Sequence, residues 1–306
     1  MRRFTLAMFA FLVLSPILAA PVRTNYVPDF ADGTGIESDP YTNWTDALAS
    51  ETTVVFTPGW YQLPSAGAGN IPDGATLRCE GATIVWPASR TSEASAFTIP
   101  SSADHVVIEG CTFAPGRTVD PVNGHSDGGG AYITVGDFGS QTPISVTIDN
   151  NKFGPGVLST GLVWRTIYIR GAVDRLRISR NHFEFTDRAI DFAPGSDSLP
   201  SWTYANVLAT ENIFSYSEAK GSTEQRWWYY FGSPFGYWNN VALMKNITFS
   251  NNVMTGKGAM GLRITRGFDG VVIANNVISA EKFDIIYTFG ANDTALVLRG
   301  IVKSCV

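Results

Sequence analysis

The sequence predicts an all-β chain wound as a solenoid, and three observations carry that prediction. First, an eight-residue template recurs in "VTIDNNKF" (Val146 to Phe153), "LRISRNHF" (Leu176 to Phe183), "VLATENIF" (Val207 to Phe214), "ITFSNNVM" (Ile247 to Met254) and "VVIANNVI" (Val271 to Ile278). It reads apolar, any, apolar or small, two of any kind, Asn, any, apolar, which is strand alternation on both sides of one asparagine. Second, Asn151, Asn181, Asn212, Asn252 and Asn276 follow one another at 30, 31, 40 and 24 residues, the mark of a core unit of roughly 22 to 25 residues carrying insertions. Third, an Asn between two short strands marks a tight turn that tolerates left-handed backbone, and equivalent side chains stacked from rung to rung would pair polar groups turned toward the core.

Along the chain, Arg2 and Arg3 precede the apolar run "FTLAMFAFLVLSPILAA", so residues 1–20 read as a secretory signal peptide and 21–306 as one domain. "NWTDALAS" is helix-like, "VVFTPGWYQL" (Val54 to Leu63) holds an apolar run broken by Pro-Gly, and "LRCEGATI" (Leu77 to Ile84) is a weak copy of the template with Ala82 in the Asn place. "VVIEGCTF" (Val106 to Phe113) is a better copy, with Cys111 in that place. "ALVLRGIVKSCV" is a partial rung with no amphipathic cap after it. Its open end would be covered by its own tail, by further sequence or by another subunit, which makes an oligomer through this end one expectation.

Composition narrows the function classes. A chain that is 44% hydrophobic and 16% charged is folded, and 27 acidic against 22 basic residues leave a net charge of −5, or about −7 without Arg2 and Arg3. That balance argues against nucleic acid and anionic membrane as partners of the mature form. Cys79, Cys111 and Cys305 show no metal spacing and read as small buried residues with at most one disulfide.

On the template copies, the chain resembles the right-handed parallel β-helix proteins of the pectate-lyase-like superfamily, which includes polysaccharide lyases, glycoside hydrolases and phage tailspikes. The resemblance covers about Asp32 to Ile301 and extends to "DGTG" (Asp32 to Gly35). It implies a single-stranded right-handed parallel β-helix, a short N-terminal capping helix at "NWTDALAS", and rungs in which the Asn turn joins the second strand to the third. The first strands then read as "AFTI" (Ala96 to Ile99), "AYITV" (Ala131 to Val135), "TIYIR" (Thr166 to Arg170), "AIDF" (Ala189 to Phe192), "VALM" (Val241 to Met244) and "LRIT" (Leu262 to Thr265).

Period two sets Thr134, Tyr168, Asp191, Ala242 and Arg263 outward in one column, with Arg170 beside it. Insertions leave both edges of that face, among them "APGRTVDPVNGHSDGGG" (Ala114 to Gly130) and "RWWYYFGSPFGYWNN" (Arg226 to Asn240), the latter read as an insertion between two rungs. Its Trp227, Trp228, Tyr229, Tyr230, Tyr237 and Trp238 offer flat faces to sugar rings, and some of its aromatics must pack on the coil to hold the loop.

The chemistry expected on this face is β-elimination on a polysaccharide containing uronic acid. Arg170 and Arg263 would neutralise the sugar carboxylate, and Tyr168 would serve as base or acid beside them. Arg188 and His125 are further substrate contacts, with His125 a second proton-transfer candidate. Arg175, Arg177 and Arg180 fall on the second strand and its turns, away from the groove. Hydrolysis is the alternative and would use Asp191 with Asp187, Asp127 or Asp137. "LRITR" (Leu262 to Arg266) is a partial match to the polygalacturonase "RIK", whose Asp-Asp and His-Gly companions are missing. A noncatalytic polysaccharide-binding or adhesive role is the other alternative. No cofactor is expected: calcium, which some lyase relatives use, needs clustered carboxylates, and Asp191 is the one on the groove strand. The mature protein is expected to be secreted, extracellular or periplasmic.

Overall fold

A computed structural model of the chain describes residues 23–48, 52–86, 95–114, 131–137, 140–154, 165–185, 188–192, 203–217, 233–237, 243–265, 268–288, 296–300 and 302–304. Every strand pairing among them is parallel, as a coil that always winds in the same sense requires. The result is a right-handed parallel β-helix. Its second strands form a ten-stranded sheet from Arg23–Tyr26 to Leu296–Arg299. Third strands form one limb of a fourteen-stranded sheet, from Gly59–Gln62 to Val253–Thr265, and first strands form the other limb, returning to Phe97–Ile99. Val253–Thr265 and Val277–Thr288 are each long enough to serve as the third strand of one rung and the first strand of the next.

The inner turn holds the rungs in register. Each ladder asparagine is at most 2% exposed, and its side chain bonds in two directions. In Asn181, Nδ2 donates to the Ile148 carbonyl on the preceding rung at 2.9 Å and to Asn212 Oδ1 on the following rung at 3.1 Å; the backbone N–H also donates to Asn212 Oδ1, at 2.9 Å. The same arrangement repeats at Asn151, Asn212 and Asn252, and it begins at Cys111, whose N–H donates to Asn151 Oδ1 at 2.9 Å. Buried amide groups that would cost about 1–3 kcal/mol each if left unpaired are satisfied without water.

The left-handed residue is the one before the ladder asparagine, not the asparagine itself. Asn150, Arg180, Glu211, Asn251 and Asn275 have φ between +53° and +58°. At the turn that carries Cys111 the place is taken by Gly110, where a Cβ would lie 2.5 Å from the Cys79 carbonyl oxygen.

Beyond the turn, the inward residue of each third strand stacks on its neighbour. Phe113, Phe153, Phe183 and Phe214 have centroids 5.0, 5.0 and 4.8 Å apart and ring planes within 12°. Those separations are close to the spacing between strands, so the offset stack follows from the register. Cys79 and Cys111, from adjacent rungs, form a disulfide across 32 residues of sequence.

The expected N-terminal capping helix is not confirmed. Trp44–Ala47 makes a single 3-10 turn, preceded by a second at Val27–Phe30. Four residues cannot build a stable α-helical stretch, so packing holds the turn: Trp44 is fully buried, edge-on to Phe56 and Tyr61, and its indole N–H donates to the Gln62 carbonyl at 2.9 Å. At the other end Val297 and Leu298 are exposed, although Leu298 pairs with Ile273, whose side chain is buried in the core. No helix among the described residues is long and apolar enough to cross a membrane.

Three outcomes follow from this framework. Asn212→Ala strips the acceptor from Asn181 and the donor from the Ile178 carbonyl, and a loss of about 3 kcal/mol is expected in chemical unfolding. Asn251→Gly, at an exposed left-handed position, should be neutral within about 0.5 kcal/mol. Replacing Cys79 and Cys111 together by alanine should cost about 3–4 kcal/mol, the loop-closure value for their separation, read in the same titration.

Candidate functional site

The outward column on the first-strand limb is built by register. Thr98, Thr134, Tyr168, Asp191, Gly236 and Arg263 are successive cross-strand neighbours. Tyr168 is therefore one strand spacing from Asp191, and Arg263 is two, about 10 Å. Gly236 holds the place in this column that the sequence reading gave to Ala242, and Ala242 lies outside the described residues. The "VALM" reading is corrected: Ser233–Tyr237 is the first strand of that rung, and Leu243–Ser250 already belongs to the second-strand sheet. The aromatic stretch is accordingly not all insertion, since its "SPFGY" is a strand of the coil. Tyr237 holds the register position beside Phe192, whose side chain points into the core.

The column is not uniformly open. All five residues of Arg188–Phe192 are buried, with Asp191 0% and Arg188 3% exposed, and Arg188 Nη1 donates to Asp191 Oδ2 at 2.8 Å. An ionised carboxylate or guanidinium costs several kcal/mol to take out of water alone, and pairing offsets that cost. Thr134 is also buried and shares a 2.5 Å hydrogen bond with Ser95 Oγ. Tyr168 and Arg170 are partly exposed, and Arg170 Cζ lies 5.5 Å from the Tyr168 ring centroid, a cation–π distance.

Arg170 is held at the end of its strand, where its N–H donates to the Val135 carbonyl at 2.8 Å. Immediately after it the chain passes against Gly136, φ +77°, where a Cβ would come within 2.6 Å of the Gly171 Cα. Two rungs thus leave this face with their backbones in contact, and a side chain at either glycine would push the two backbones apart.

Of the candidate residues, Tyr168 and Arg170 lie together on one rung and Asp191 and Arg188 pair on the next, with Tyr168 and Asp191 in register. Arg188 faces Asp191 under cover rather than a groove, a placement that period-two alternation alone does not reveal. Arg263 is placed by its backbone two rungs from Asp191. His125, Trp227, Trp228, Tyr229, Tyr230, Trp238, Asp127 and Asp187 lie outside the described residues. The segments 115–130, 155–164 and 218–232 join third strands to first strands, while 193–202 and 238–242 join first strands to second strands, so connections leave both edges of this face. Arg175, Arg177 and Arg180 sit on the second strand and its turns and are exposed. Among the described residues no three His, Cys, Asp or Glu side chains gather as metal ligands would.

No protein-family model and no curated protein matches the sequence. Among solved structures the chain is similar to PfbA, a surface adhesin of Streptococcus pneumoniae, at 14% identity and a TM-score of 0.53, over 85% of this chain and 79% of that one. It is also similar to a family 28 exopolygalacturonase of Yersinia enterocolitica, at 11% identity and a TM-score of 0.40 over 92% and 79%. The A-module of the Azotobacter vinelandii mannuronan C-5 epimerase AlgE4 aligns at 11% identity and a TM-score of 0.31, over 91% of each chain. The similarity to the adhesin is one of fold.

The buried pair makes a testable asymmetry. Asp191→Asn removes the carboxylate facing Arg188 and should destabilise the chain by about 3 kcal/mol or more, whereas Tyr168→Phe, at the partly exposed neighbour, should cost under about 1 kcal/mol. Thermal melts of the two variants measure the difference.

Proposed function

We propose that the protein binds an acidic polysaccharide along the first-strand face and cleaves it by β-elimination. The observation that carries this reading is the placement of Tyr168 beneath the Arg170 guanidinium on one strand, with Arg263 in register three strands further along the same column. An arginine is suited to a uronate carboxylate because it offers parallel N–H donors. With that carboxylate neutralised, Tyr168 would take the proton from the adjacent carbon; the electron pair forms the carbon–carbon double bond as the bond to the glycosidic oxygen breaks, and that oxygen takes up a proton. Hydrolysis is the weaker reading, since Asp191 is buried against Arg188 and would need its cover displaced to reach a sugar.

Noncatalytic binding is the second reading, favoured by the same burial: a paired, covered Asp191 is what a structural role calls for. Export through the segment 1–20 belongs to either reading and is supported by the Cys79–Cys111 disulfide, since such bonds persist in oxidising compartments.

Incubation of the protein with a panel of acidic and neutral polysaccharides tests the proposal. The expected result is ultraviolet absorbance from unsaturated uronates together with new reducing ends, with both falling at least about a hundredfold in Tyr168→Phe. New reducing ends without that absorbance would establish hydrolysis, and sedimentation with a polysaccharide in the absence of either signal would establish binding alone.

A further inference from the structure

Away from the first-strand face, a concavity lies against the second-strand sheet. It is a shallow, open cleft of about 500 Å³ bounded by two ion pairs, Arg78 with Glu109 and Arg180 with Asp149, next to the Cys79–Cys111 disulfide. The register explains how four distant residues meet. Arg78 is the cross-strand neighbour of Glu109, and Glu109 of Asp149, while Arg180 occupies the left-handed turn on the next rung. Two carboxylates one strand spacing apart are thereby flanked by a guanidinium at each end.

The two pairs differ. Arg180 holds Asp149 with both Nε and Nη2, and the Ser179 hydroxyl donates to the same carboxylate at 2.7 Å. Burial pushes the Asp149 carboxyl up, but these bonds outweigh it and hold the group below its usual range, so it is an ionised acceptor at neutral pH. Arg78 engages Glu109 through Nε alone, at 2.8 Å, which leaves its two terminal nitrogens and one Glu109 oxygen outside that bond. Both arginines are about half exposed.

Stapling of rungs does not account for this arrangement, because ladder hydrogen bonds and a disulfide already join these strands and exposed ion pairs add little. A cavity of this volume accommodates a small organic ligand. Its wall offers donors from Arg78 and acceptors from Glu109, with Glu80 also on the rim. Vicinal hydroxyls of a sugar ring both donate and accept, so they match neighbouring carboxylate and guanidinium groups. Two arginines against Glu80, Glu109 and Asp149 leave the cleft with a formal charge of −1, which disfavours an anion. We propose that this cleft binds one uncharged, hydroxyl-rich sugar unit, independently of whatever occupies the first-strand face.

Saturation-transfer NMR with neutral mono- and disaccharides, run beside glucuronate and galacturonate, tests the site on the whole chain. Transfer to a neutral sugar is expected, weakened about tenfold in Arg78→Met and in Glu109→Gln. Melting temperatures within about 2 °C of the parent would certify that both cleft variants are folded. Transfer to none of the neutral sugars, transfer to the uronates alone, or equal transfer from the parent and both folded cleft variants would each overturn the proposal. Loss of polysaccharide cleavage with the cleft signal intact would bear on the first-strand face only.

Discussion

The structure depends on one repeated interaction, the asparagine side chain that bonds one way to a carbonyl of the rung before and the other way to the asparagine of the rung after. A chain that turns its backbone inward between two sheets strands peptide groups in an apolar interior, where each unpaired group is costly. Because the same side chain closes every such turn from Asn151 to Asn252, the rungs are not merely stacked but stacked in phase. The phenylalanine column and the outward column of Thr134, Tyr168, Asp191 and Arg263 inherit their order from that phase.

Much of the coil was legible for this reason. A polar residue that must recur at one place leaves a periodic trace even where 40 residues intervene, and the strands around Ala131–Val135, Arg165–Ile169 and Arg188–Phe192 alternate plainly. Ser233–Tyr237 did not, because Pro234 and Gly236 interrupt its alternation and the nearby "VALM" looks more like a strand than it does. The left-handed position was also open to misreading where two asparagines adjoin; the rungs with Arg180 before Asn181 and Glu211 before Asn212 resolve which of the pair is buried. Cys79 and Cys111 stand at different places in their template copies, so no repeat alignment brings them together, yet adjacent rungs do.

The candidate site was legible as a column and illegible as an environment. Alternation sets Asp191 in the outward column, and register agrees, but its complete burial and its pairing with Arg188 depend on the side chains around it, which alternation does not read. The same holds for the charged cleft, whose four side chains come from four successive rungs and meet only once the coil is wound. Fold and site therefore rest on different kinds of information, the first on recurrence and the second on what is laid upon it.

The ladder bonds carry one more implication. They join Asn212 to Asn252 across 40 residues and Asn252 to Asn276 across 24 with the same geometry, so the frame counts turns of the coil and is indifferent to the length of chain between them. Lengthening a flexible connection adds only slowly to the entropy of closing it. Segments at the edges of the first-strand face can therefore be exchanged, enlarged or deleted with little consequence for the register of the strands beneath, and a lineage of such coils would be free to change what it recognises while leaving its architecture alone.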